Sequence, residues 1–212
     1  SPFADWYNIH ISFETYISLL RRTYLSDSND IAENNYRQRL LDDLATVLDI
    51  FVLPTQCFHL TLESLASNPY VPPPPLLPPC GTTCSFCDWT IETMFPKLKR
   101  NGVCSMLMDL FLGENSMVRP TLETGLVDGI RKYKNVAMLA LGSATQKPIK
   151  PVLVKKMIMM LLAAGIVVPK PELTENEDGS MKVTVLCRLA YNSEHNLLLN
   201  DNNIWARIPT KP

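Results

Sequence analysis

Three cysteines fall within eight residues, in the run Cys80-Gly81-Thr82-Thr83-Cys84-Ser85-Phe86-Cys87. A fourth, Cys57, stands upstream, which makes the spacing C-x22-C-x3-C-x2-C. Zinc takes soft thiolates at tetrahedral corners, and a short loop between two cysteines lets both reach one ion without strain. Cys80, Cys84 and Cys87 supply three ligands from one knuckle, with Gly81 easing the turn. Cys57 is the natural fourth ligand, and His59 is its alternative. The plainer reading is a set of buried thiols packing as small hydrophobes. Three so close together favour metal instead, one structural Zn2+ per chain. Four thiolates close such a site and leave no position for a reacting water, which argues against a metalloenzyme. Cys104 and Cys187 stand apart, in an apolar helical run and a strand, and read as structural.

Helices must position these ligands. Phe13, Tyr16, Ile17, Leu19, Leu20 and Tyr24 recur at helical spacing, ending near the polar stretch 26–30. Leu40, Leu41, Leu44, Val47, Leu48 and Phe51 share one face of a second helix. Pro54 suits the first turn of a third, which carries Cys57, Leu60, Leu62 and Leu65. Residues 68–79 include four consecutive prolines and prefer a stiff polyproline II strut returning the chain to the metal. Residues 1–90 thus read as a helical zinc-binding subdomain whose folding is coupled to metal.

The pattern changes beyond residue 90. Val103, Met106, Leu107, Leu110 and Phe111 predict a helix stopped by Gly113, and residues 125–133 predict a short one. Residues 136–141 fit a strand or a helix. Pro151 then introduces a helix over 152–164. Strand-like residues 166–168, a turn at Glu175-Asn176-Glu177-Asp178-Gly179 and a strand over 182–189 make a hairpin. Helices followed by a hairpin make residues 91–212 a winged helix. The expected fold is mainly α with a small β-wing.

Charge divides along the same line. Residues 1–90 carry four basic and ten acidic side chains, whereas residues 91–212 carry sixteen and eleven. From Gly129 to Pro171 eight basic residues occur without one acidic residue: Arg131, Lys132, Lys134, Lys147, Lys150, Lys155, Lys156 and Lys170. A solvated lysine face is the ordinary reading of such a run. An acid-free span of this length points to phosphate contact through the third helix and its leading loop. Arg131, Lys132, Lys134, Lys147, Lys150, Lys155 and Lys156 are the candidate DNA-binding residues. The presumed wing tip, Glu175 to Gly179, is acidic and would repel phosphate.

The chain contains no G-x4-G-K-[ST] loop, and its three histidines, His10, His59 and His195, sit in unrelated contexts. No enzymatic activity is expected of it alone. The apolar run 157–168 is too short to span a bilayer, and no basic-plus-apolar signal segment opens the chain. A thiol knuckle in this setting predicts a reducing compartment, nuclear or otherwise intracellular.

Gln56-Cys57-Phe58-His59-Leu60 followed by the Cys80–Cys87 knuckle resembles the zinc-binding subdomain of RecQ-family DNA helicases. Residues 123–132, 153–162 and 183–189 fall where that family's winged-helix domain has its helices and closing strand. The resemblance covers about residues 13–208. It implies a non-catalytic DNA-binding module of an ATP-dependent helicase with a role in repair and recombination. The module would contact duplex or branched DNA independently of sequence, with any motor on other sequence or on another protein. The family's wing often ends in an aromatic residue that wedges into the duplex, and the tip here has none. The competing expectation is a winged helix that binds a protein partner and has lost the ability to separate strands.

Overall fold

The computed structural model describes residues 11–24, 31–54, 57, 58, 60, 61, 87, 95–114, 116, 117, 120–144 and 148–211. His10, His59, Cys80, Cys84, Lys147 and the proline strut 68–79 lie outside the described residues. Within them the protein is mainly α-helical with one two-stranded antiparallel sheet.

Helix α1 spans Phe13–Arg22. Ser12 caps it by accepting the Thr15 N–H at 3.0 Å, and Phe13, Tyr16, Ile17 and Leu20 turn one buried stripe inward. Helix α2 spans Ile31–Val52 and buries Leu48 and Val52 near its end. It begins about nine residues before the apolar stripe that announces it in the sequence. Its first half is polar and is tied by pairs four residues apart: Arg37 to Glu33 at 3.0 Å and Gln38 to Asp42 at 2.8 Å.

Further along the described residues come α3 (Arg100–Leu112), α4 (Gly125–Lys132), α5 (Val136–Leu141) and α6 (Pro151–Ala163). Residues 136–141, open in sequence between strand and helix, are thus helical. Helices α3 and α5 meet at Gly102. A Cβ there would sit 1.8 Å from the Leu139 carbonyl oxygen, so only glycine permits the approach.

Strands β1 (Val167–Glu175) and β2 (Met181–Leu189) pair from Val167↔Leu189 to Glu175↔Met181. The turn between them closes through Gly179 at φ +79° and the Asn176 N–H to Ser180 carbonyl bond of 2.8 Å. On its far side β2 meets residues 120–122: the Leu122 N–H reaches the Val185 carbonyl and the Cys187 N–H reaches the Pro120 carbonyl, at 2.8 and 3.0 Å. Val185 and Cys187 therefore direct their backbone groups away from β1. Their β1 partners, Pro171 and Pro169, sit at non-hydrogen-bonded positions with their nitrogens on the outer edge. That is why β1 runs through two prolines where a short strand over 166–168 is expected. The same prolines protect the edge from further pairing.

A short 3-10 turn (Leu198–Asn200) and α7 (Asn202–Arg207) complete the chain, anchored by buried Trp205, whose Nε1 donates to the Leu199 carbonyl at 2.7 Å. One apolar core joins Tyr16 and Ile17 of α1, Leu48 and Val52 of α2, and Met157, Ile158 and Met160 of α6. The first two helices, which the sequence groups with the zinc ligands, thus pack on the second half of the chain.

Candidate nucleic-acid interface

Helix α6 carries most of the expected phosphate-binding lysines. Its sequence explains its position: residues 157–162 are Met-Ile-Met-Met-Leu-Leu, apolar on every side, and all six are buried. Helices α1, α2 and α4 and strand β1 pack around it. A helix enclosed in this way offers an end to a partner, not a face. Its exposed end is the N-terminus, where Lys150, Pro151 and Val152 reach solvent.

The acid-free span does not stay acid-free once the chain folds. The Lys155 ammonium pairs with Glu14 of α1 and lies 5.8 Å from the centre of the Phe13 ring. That pairing holds the Glu14 carboxyl below its usual range. Arg131 meets Asp128 at 3.4 Å on α4, and Lys170 meets Glu172 at 2.7 Å on β1. Lys156 is half-buried beside Lys155. Lys132, Lys134 and Lys150 are exposed and have no ion pair among the described residues.

The acidic hairpin tip is built for its turn. Asp178 accepts hydrogen bonds from the Ser180 N–H at 2.9 Å and the Ser180 hydroxyl at 2.6 Å, which lower its pKa. Asn176 donates to the Ser180 hydroxyl oxygen at 2.9 Å. Glu175, Glu177 and Asp178 are exposed and keep the tip negative.

Three further lysines gather near Lys150 from distant parts of the sequence. Leu98 bridges Thr210 in parallel, with the Leu98 N–H on the Pro209 carbonyl and the Lys211 N–H on the Leu98 carbonyl, both at 2.8 Å. Leu98 points inward and is fully buried, so Lys97 and Lys99 on either side of it stand exposed, with Lys211 alongside. The linear sequence separates Lys97 from Lys211 by more than half its length, although Lys97, Lys99 and Arg100 form a short basic run of their own. That run is the signal that could have found Lys97 and Lys99; Lys99 and Lys150 stand at the N-caps of α3 and α6, where Ser, Thr, Asp or Asn is usual.

Of the proposed zinc ligands, Cys57 is buried and opens a helical turn, its carbonyl accepting the Thr61 N–H at 3.1 Å. Cys87 is half-buried. Among the described residues no group of three or more His, Cys, Asp or Glu side chains gathers. Cys104 and Cys187 are held inside the fold: their thiols donate to the Leu199 carbonyl at 3.6 Å and the Pro120 carbonyl at 3.3 Å. Burial raises the pKa of Cys104, partly offset by Arg100, and pushes that of Cys187 up to about 12.

No family model, curated protein or solved structure matches this chain.

Proposed function

We propose that this chain is a non-catalytic nucleic-acid-binding module, a four-cysteine zinc platform leading into a winged helix, of the kind that RecQ-like DNA helicases carry. The element order supports the winged-helix part of this reading. Helix α3, the isolated bridge from Thr121 to Leu186, helices α4 to α6 and the β1–β2 hairpin close on one another around a single core. Cys57, Cys80, Cys84 and Cys87 are the proposed ligands of one structural Zn2+, which would fix the 57–87 segment and take no part in a reaction.

The observation that carries the nucleic-acid reading is the set of exposed lysines at the open end of α6, foremost Lys150, which has no ion pair among the described residues. Contacts of this kind hold phosphates and carry no base information, so binding is independent of sequence. Measuring duplex binding across salt concentrations tests the reading, because phosphate contacts release counterions and weaken as salt rises.

The burial of α6 and the acidic hairpin tip favour a second reading. A winged helix whose recognition helix is covered and whose wing repels phosphate suits a protein partner. Strand separation by the hairpin is not part of either reading. Salt-insensitive capture of a protein, with no measurable affinity for duplex, would select the second.

A further inference from the structure

Two adjoining clefts lie between the lead-in to α3, helix α5 and the start of α6. One, of about 500 Å3, is lined by Lys97, Lys150 and Lys211 together with Ser143 and apolar residues. The other, of about 420 Å3, is lined by Lys99, Arg100 and Lys211 beside Gly102 and Leu139. Lys211 borders both, so they form one surface with five cationic side chains and, among the described residues, no carboxylate in its lining. Like charges gathered this closely repel one another, and an anion between them relieves that cost.

Part of this charge has a structural use. The Lys211 ammonium donates to the Leu141 carbonyl at 3.0 Å, and the Lys99 stem packs over Gly142, both at the C-terminal end of α5. Lys97 and Lys150 line the cleft from the lead-in to α3 and the start of α6. The helices that open onto the surface also run against the usual charge rule. Both α3 and α6 begin on a lysine, lack an acidic residue in the first turn and have no side-chain cap. Positive charge at a helix N-terminus destabilises the helix, so two such starts facing one surface fit a site that takes up negative charge on binding.

We infer that this cleft, and not the face of α6 or the end of α4, is where a nucleic-acid backbone is held, with consecutive phosphates between Lys97 and Lys150 and between Lys99 and Lys211. The inference rests on the nucleic-acid reading and locates its contact surface. Arg100 is not a phosphate ligand in it. Its guanidinium donates to Asn202 Oδ1 at 2.6 Å and to the Asn200 carbonyl at 3.0 Å, and it lies over the Trp205 ring.

The test is fluorescence anisotropy with labelled duplex at several salt concentrations, on the full chain loaded with zinc. The variants are Lys97→Ala/Lys150→Ala, Lys99→Met/Lys211→Met and all four together. Methionine keeps the apolar stems of Lys99 and Lys211 in place, and the first pair leaves α5 untouched if the second impairs folding. Each pair should weaken low-salt binding by at least about tenfold and flatten the log–log salt slope by about two units, one per lysine. Lys132→Ala/Lys134→Ala, at the end of α4, should change neither. If that control loses binding while the cleft variants keep it, the cleft is overturned and the nucleic-acid reading stands. If the parent binds no duplex, or prefers an acidic peptide, both fall.

Discussion

Lys155 of α6 and Glu14 of α1 form an ion pair across 141 residues of sequence, and the pair lies where a groove-reading helix would need an open cation. The lysine that looks most available in the linear chain is thereby neutralised by a carboxylate from the first helix. Lys155→Ala should therefore leave the salt slope of duplex binding within about half a unit of the parent, against about one unit for Lys150→Ala. The pair is largely exposed, so the variant should lose less than about 1 kcal/mol of stability. Parallel anisotropy and urea titrations measure both quantities. A Lys155 effect equal to that of Lys150 would return α6 to the interface.

The Glu14 contribution also has a pH sign. Its carboxyl titrates below the unfolded value because the charged form is paired, so the stabilisation is present above that value. It fades as pH falls through the lower, folded pKa. Glu14→Gln should abolish that part of the acid sensitivity and leave neutral-pH stability within about 1 kcal/mol. Urea midpoints of both proteins from pH 7 down to pH 3 measure it.

Cys187 provides the alkaline counterpart. The buried thiol has its pKa pushed up to about 12, whereas the unfolded thiol ionises near its ordinary 9.0. Its neutral form is favoured in the fold, so stability should be full below about pH 9 and decline as pH rises towards 12. Cys187→Ala should remove that part of the decline. In native protein at pH 8, Cys104 and Cys187 should both resist a thiol reagent that modifies them promptly in denaturant. Mass spectrometry of labelled peptides distinguishes the cysteines.

Gly102→Ala should be among the most damaging single changes. The added Cβ would meet the backbone of Leu139, which cannot rotate away, so α3 and α5 must separate. A loss of about 3 kcal/mol is expected, visible as a lower thermal midpoint. Gly165→Ala is the comparison. It has nothing within 4 Å of the added Cβ and is strained only by its φ of +73°, which predicts a smaller loss.

The zinc proposal predicts one equivalent of metal per chain by elemental analysis. Cys57→Ser and Cys87→Ser should each lose most of it, and His59→Ala should not. Protein purified without chelator that contains no zinc would end this part of the account.

Much of the fold is legible in the sequence, because hydrophobic period and turn residues mark it. The stripe at Phe13, Tyr16, Ile17 and Leu20, the proline opening α6 and the Asp178-Gly179 turn all fall where expected. What is not legible has specific causes. The first half of α2 is held by polar pairs such as Glu33–Arg37 and has no apolar stripe to announce it. Strand β1 passes through Pro169 and Pro171 because the register turns their nitrogens outward, a fact about the partner strand. At the candidate interface, counting charges along residues 129–171 could not see Glu14 coming from α1. Nor could it see Lys97, Lys99 and Lys211 assembled by a single Leu98–Thr210 bridge. The burial of α6 was there to be read, since six consecutive apolar residues leave a helix no polar face.

In the reading proposed above, this chain holds a nucleic-acid backbone through a small set of lysines. The salt dependence of duplex binding by the unaltered, zinc-loaded chain tests it most directly. Four lysine–phosphate contacts predict a log–log slope of about −3.6, with the same slope on duplexes of unrelated sequence. A slope near zero, or no binding to duplex at low salt, would contradict the account and leave the protein-partner reading in its place.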